Sequence, residues 1–167
     1  MGFGSGIVAG ETGVLLHNRG AYFSLDPTHP NCLEPGKRPM HTLMASLAFR
    51  GQGLWLVFGC MGADGQPQIH LQVYSALLDH GLDLSAAIEA PRWLAGRFAI
   101  GDPREFLNLE GRIPPETRQV LEARGHLVNV WEPWDELTGH AHGLMLLDDG
   151  VRMGVADPRS DGLAAGY

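Results

Sequence analysis

An α+β or layered α/β domain is what this sequence predicts, on three observations. About a fifth of the 167 residues are glycine or proline (Gly 23, Pro 11), which demands many tight turns and few long helices. Short apolar runs bounded by those turns recur along the chain and read as about seven strands. Only about three segments carry helical spacing. The length suits one domain spanning residues 1–167, and a hydrophobic share of 44% against 19% charged is an ordinary globular balance.

The elements follow in order. Gly13-Val14-Leu15-Leu16-His17-Asn18 reads as a first short strand inside a glycine-punctuated block. Residues 24–40 carry four prolines and no periodicity, a loop long enough to be functional or covered by a partner. Thr42–Phe49 and Leu54–Cys60, around Arg50-Gly-Gln-Gly53, read as a β-hairpin buried on both faces, because neither run alternates. Gln66–His80 has helical spacing, with Ile69, Val73, Ala76, Leu77 and Leu78 sharing a face and Gly81 as its stop. A second helix spans Leu84–Ala90, with Asp83 as N-cap and Pro91 beyond it. Glu105–Glu110 reads as a strand. Pro115–Arg124 is the plainest helix, with Glu116 in its first turn and Gly125 after its last. His126–Trp131, Gly143–Leu147 and Val151–Val155 complete the strands.

Charge and composition exclude several function classes. No run approaches the ~20 apolar residues of a membrane span, and no basic segment followed by an apolar one opens the chain. The net charge is −7 and no Lys/Arg cluster forms a patch, so neither nucleic acid nor an anionic membrane is an expected partner. With only Cys32 and Cys60, the chain suits a reducing compartment, and a cytoplasmic location is the expectation.

Four constellations bear on chemistry. Cys60 closes a strand just ahead of a helix, where amides at the helix start would lower a thiol pKa; the alternative is a buried structural thiol. His140 and His142 share a face of an extended segment, and His70 or Asp64 as third ligand would make a zinc site; an ordinary pair of surface histidines is the alternative. Gly62-Ala63-Asp64-Gly65 is a small-residue turn before a helix, where successive amides converge on an anion or a developing oxyanion. Lys37 and Arg38 beside His41 and Thr42, with Arg19 upstream, would bind a carboxylate. Asp157-Pro158-Arg159-Ser160-Asp161 reads as a structural turn held by an Asp–Arg pair.

Taken together, the stretch from Phe3 to Asn18, then Pro35-Gly-Lys-Arg-Pro39, Met61–Gln68, Ala90-Pro-Arg92 and Asp157–Tyr167 resemble the small subunit of the gamma-glutamyltransferase (glutathione hydrolase) family, over essentially the whole chain. Asn18-Arg-Gly-Ala-Tyr-Phe-Ser24 with Pro39-Met-His-Thr42 looks most like the bacterial branch that includes oxamate amidohydrolase. The resemblance implies an incomplete half of the αββα sandwich of N-terminal-nucleophile hydrolases, in which a proenzyme cleaves itself and a new N-terminal threonine attacks an amide. It implies no cofactor and no metal.

Carried over residue by residue, the resemblance puts Gly62 and Ala63 in the paired-glycine oxyanion position. It puts His41 and Thr42 where the family holds the substrate carboxylate with two serines. Arg19 and Tyr22 stand where the family holds the α-amino group with Gln and Asp. A phenol in place of the carboxylate removes the charge partner of an ammonium, and Arg19 repels one, so a small amide bearing a carboxylate and no α-ammonium is the expected substrate. The family's threonine, whose free amine activates its own hydroxyl, belongs to a segment ahead of the Phe3 motif. The chain is therefore expected to be a truncated piece, inactive alone, and to pair with a large-subunit-like polypeptide or with itself. A non-catalytic binding or assembly module, or a Cys60-dependent hydrolase, are the alternatives.

Overall fold

A computed structural model of the chain describes residues 4–98 and 102–166. Its backbone falls into two compact units, Met1–Leu43 and Met44–Tyr167. Phe3 and Tyr167, at the two ends of the motifs above, lie outside the described residues.

In the first unit the strand expected at 13–18 is not formed. A single bridge joins Val8 to Leu15, flanked by bonds from Ser5 N to Leu16 O (2.9 Å) and from Leu16 N to Ile7 O (2.8 Å). Gly10 and Gly13 both stand at positive φ, +53° and +72°, and fold this stretch back before a ladder can extend. A 3-10 turn, Arg19–Tyr22, follows at once. The proline-rich segment is the expected loop. Asn31 ties it together, donating to Tyr22 O (2.8 Å) and accepting from Met40 N (2.9 Å).

The second unit is built on the expected hairpin, β1 (Ala45–Arg50) with β2 (Gly53–Met61). β1, β2, β6 (His140–Leu146) and β7 (Arg152–Ala156) form one antiparallel sheet in that order. Its inner face carries Leu56, Phe58, Ala141 and Met145 against Ile69, Val73 and Leu77 of α1 (Gln66–Leu78) and Leu84, Ala87 and Ile88 of α2 (Leu84–Glu89). The outer face is exposed at β1 and β2, while residues 162–164 lie against its β6–β7 end, where a Cβ on Gly154 would be 3.1 Å from Ala164 Cβ and one on Gly162 3.3 Å from Ala156 Cβ. Leu47 is 60% exposed, and the register runs from it through Val57 and Leu144 to Gly154, all exposed. The expectation of a hairpin buried on both faces is thus corrected: its apolar residues do point both ways, but this chain covers only one side.

The helices form where their caps and spacing put them. Asp83 Oδ1 accepts from Ala86 N at 2.8 Å, the N-cap bond expected of α2. Leu78, expected on the buried face of α1, is 60% exposed in its last turn, whereas Leu77 is buried. A smaller sheet, β3 (Trp93–Ala95), β4 (Phe106–Leu109) and β5 (Leu127–Val130), packs to one side. β4 and β5 are parallel, so the connection between them must cross over, and α3 (Pro115–Ala123) does this. β3 was not foreseen; three residues after a proline show no alternation to read.

Candidate active site

The turn between β2 and α1 is the centre of the site. β2 ends at Met61; Gly62 follows, then the 3-10 turn Ala63–Gly65, then α1. Gly65 N donates to Gly62 O (2.8 Å) and the Gln66 side chain donates to Ala63 O (3.1 Å), so both carbonyls are turned inward and held. The leading amides of such a turn have no acceptor within it and stand at the positive end of α1. Ala63 adopts φ +45°, in the left-handed region that disfavours a Cβ. At Gly62 there is no room for a side chain, since a Cβ would lie 2.7 Å from Ile69 Cδ1 and 3.7 Å from Gly139 Cα.

Gly139 is the backbone neighbour of this turn. It has φ +79°, and a Cβ on it would come 2.5 Å from Met61 O and would also strike Ile69 Cδ1. A buried ion network anchors it. Arg92 donates to Gly139 O (2.8 Å), Thr138 O (3.3 Å), Ile88 O (2.7 Å) and Asp157 Oδ2 (2.6 Å). Asp157 also accepts from the amides of Ala141 (2.7 Å) and Arg159 (3.0 Å) and from the Arg159 guanidinium (3.1 Å). Arg159 reaches Glu110 Oε2 at 2.6 Å, and Glu110 Oε1 takes Arg112 Nε at 2.6 Å. Trp134 covers the outer end, with the Arg112 guanidinium 3.3 Å from its ring centre.

The electrostatics of the network follow from these contacts. Burial pushes the Asp157 carboxyl up, yet the Arg92 charge and the two amides outweigh it and hold the group below the usual carboxylate range. Glu110 behaves alike: burial is overcome by bonds from Arg112, Arg159 and the Arg92 amide. Burial lowers Arg92, and the Asp157 charge opposes that loss. The expected Asp157–Arg159 turn is therefore real, but it is one corner of a larger assembly.

Cys60 does not have the reactive thiol its position suggested. Burial pushes it up to about 11, against a smaller pull from Arg92, and its Sγ lies 3.8 Å from the Gln66 carbonyl oxygen. At neutral pH only on the order of one thiol in ten thousand is thiolate. His140 and His142 do share a strand, with His142 exposed, but among the described residues no three His, Cys, Asp or Glu side chains cluster to hold a metal ion. His70 lies instead in the core, edge-on to the Phe58 ring at 4.8 Å.

In the first unit, Arg19 donates to the Tyr22 hydroxyl at 3.2 Å and stacks on its ring. The two residues thus act as one group, a cation joined to a phenol. His41 is exposed and Thr42 half-buried at the end of the same unit. Lys37 lies 3.5 Å from Glu34 in a partly exposed ion pair, and Arg38 is exposed.

The gamma-glutamyltranspeptidase family model matches residues 1–167. The chain belongs to this family. It is 44% identical over 164 residues to the glutathione hydrolase-like YwrD proenzyme of Bacillus subtilis (strain 168), covering 98% of this chain and 31% of that protein. It is 44% identical over 165 residues to the oxamate amidohydrolase proenzyme of Klebsiella pneumoniae, covering 99% and 31%. The chain therefore spans about a third of the length of these curated relatives. Among solved structures, cephalosporin acylase from Bacillus halodurans superposes with a TM-score of 0.77 at 36% identity, over 98% of this chain and 30% of that one. A gamma-glutamyltranspeptidase from Pseudomonas nitroreducens, complexed with L-DON, shares the fold at a TM-score of 0.71 and 23% identity, over 99% and 88%. The α+β reading, as a portion of the layered sandwich of this gamma-glutamyltranspeptidase fold, stands.

Within the family frame, sequence reasoning singled out the turn at Gly62 and Ala63 but missed what supports it. Arg92 and Glu110 are 18 residues apart and Arg92 and Asp157 are 65 apart, and no local pattern joins them. The available signal was charge type. An arginine next to a proline, and an Asp–Arg pair near the end, stand among apolar neighbours that would bury them.

Proposed function

We propose that this chain is the small-subunit-like portion of an amidohydrolase of the gamma-glutamyltranspeptidase family, in which the amides of Gly62 and Ala63 form the oxyanion hole. The observation that carries this is the turn itself. Its carbonyls are bonded within the turn, Ala63 is held in a left-handed conformation, and the leading amides stand at the head of α1, where the helix end leaves N–H groups for an outside acceptor.

The nucleophile is supplied from outside these residues, as a threonine whose own amine takes the proton of its hydroxyl. Attack on the amide carbon gives a tetrahedral intermediate, whose negative oxygen is received by the two N–H groups. Collapse expels the amine, and water releases the acid in a second step through the same oxyanion. Removing one donor from such a hole costs about 10²–10³ in rate.

Arg19 with Tyr22, and His41 with Thr42, hold the substrate carboxylate in this reading. A cation already joined to a phenol favours an acid and disfavours an α-ammonium, so a small amide such as oxamate is preferred to a γ-glutamyl compound. The exposed β1–β2 side of the sheet's outer face, with Leu47 and Val57, supports a partner layer, a large-subunit-like polypeptide or a second copy. Stacked sheets sit about 10 Å apart, and the small residues Ala45 and Gly59 on this side permit close packing.

The test compares this chain alone with the complete polypeptide that carries the nucleophile, on oxamate and on γ-glutamyl-p-nitroanilide. The expected outcome is no turnover by the chain alone, and turnover by the complete polypeptide with oxamate favoured. Amide hydrolysis by the chain alone overturns the reading; a preference for the γ-glutamyl substrate overturns the substrate assignment.

A further inference from the structure

We infer that Arg92 is a positioning residue for amide hydrolysis: by clamping the carbonyls of Thr138 and Gly139 it sets the surface against which the Gly62–Ala63 turn rests. The inference builds on the oxyanion reading above and adds to it the group that holds those amides in place.

Arg92 is 1% exposed and sits outside the turn. Its guanidinium serves four acceptors at once, the carbonyls of Ile88, Thr138 and Gly139 and the Asp157 carboxylate. A planar fork of donors can satisfy such a set in one geometry only, which a flexible ammonium cannot do. A buried ion pair adds little stability over apolar packing, so its presence here is better explained by the geometry it imposes.

That geometry reaches the turn without an intervening side chain. Gly139 lies so near that a Cβ on it would be 3.5 Å from Gly62 Cα and 2.5 Å from Met61 O. Asp157 locks the same place from a second direction, since the oxygen that takes Arg92 also takes the Ala141 amide, two residues beyond Gly139. Backbone rests on backbone, so a shift of residues 138–139 is passed to Gly62. Stabilisation of a developing oxyanion depends on donor placement within fractions of an ångström, and loss of a supporting group around a site costs about 10–100-fold.

The test uses the complete polypeptide with its nucleophile, and Arg92→Lys. A carboxylate-bearing alkylboronic acid, which adds the nucleophile to give a tetrahedral adduct, reports on the oxyanion hole separately from substrate binding. The expected result is kcat lowered about 10–100-fold, boronate affinity lowered by a similar factor, and KM changed less than about threefold. Should Arg92→Lys fail to fold, Asp157→Asn, which removes the charge that orients Arg92, is expected to give the same split. Unchanged kcat and boronate affinity, or a loss carried by KM alone, overturns the proposal. The amide resonances of Gly62 and Ala63 in the parent keep the two readings apart. If they move on boronate binding while the variants retain full boronate affinity, the positioning role alone falls. If they do not move, the oxyanion reading falls, and the role of Arg92 with it.

Discussion

Among the described residues two that are not glycine, Ala63 and Trp134, stand at positive φ, and Ala63 does so at the site. Its φ of +45° costs an alanine roughly 1 kcal/mol that a glycine would not bear. Ala63→Gly is therefore expected to raise stability by up to about 0.5 kcal/mol after allowing for the freer unfolded chain, read as a shift in the urea midpoint at constant m-value. A lower midpoint would show that the Cβ contributes packing that outweighs the strain. Cys60 shows the opposite relation between position and chemistry. Its place ahead of a helix was legible in the sequence and suggested a lowered pKa, but the depth of burial was not legible, and burial decides the direction.

At the scale of elements, what the sequence revealed depended on range. The N-cap of α2 was readable because Asp83 and the Ala86 amide that donates to it are three residues apart. The hairpin was readable from one turn. The strand expected at 13–18 failed because Gly10 and Gly13 reverse the chain beside it, a tertiary outcome of backbone freedom that an apolar run does not reveal. Of the ion network only the Asp157–Arg159 corner was readable, because its charged members come from three separate segments, at Arg92, at Glu110 and Arg112, and at Asp157 and Arg159. The network also gives the chain a pH signature. Glu110 and Asp157 both titrate below their ordinary values, so the unfolded chain binds more protons than the folded one in mild acid. Their contribution is fully present above about pH 4.5 and is lost as pH falls through the folded-state values. Urea midpoints are expected to decline gently below about pH 6.5, where burial keeps His70 from taking the proton it binds in the unfolded chain, and to drop more steeply below about 4.5. Glu110→Gln should lower the neutral plateau and flatten the acid limb; an unchanged acid limb would remove the network from the account.

For the whole molecule, the open sheet face matters most. Leu47 and Val57 belong to the hairpin read as buried on both faces because its runs are apolar, and no residue pattern distinguishes burial within a chain from burial against another layer. An uncovered apolar row of this kind drives association. The chain alone is expected to self-associate at micromolar concentration by analytical ultracentrifugation, and Val57→Lys with Leu144→Lys to shift it toward monomer. A parent that stays monomeric would mean that the face is too dispersed to act as a contact surface.

The buried arginines carry a consequence for heating. Hydration of ions weakens as temperature rises, so the desolvation that Arg92, Asp157, Arg159 and Glu110 suffer in the interior becomes less of a handicap in warm solution, while apolar burial gains little more per unit area. Fraying on a thermal ramp should then begin in the lightly packed first unit and at α3, which buries no residue, and reach the arginine lattice last.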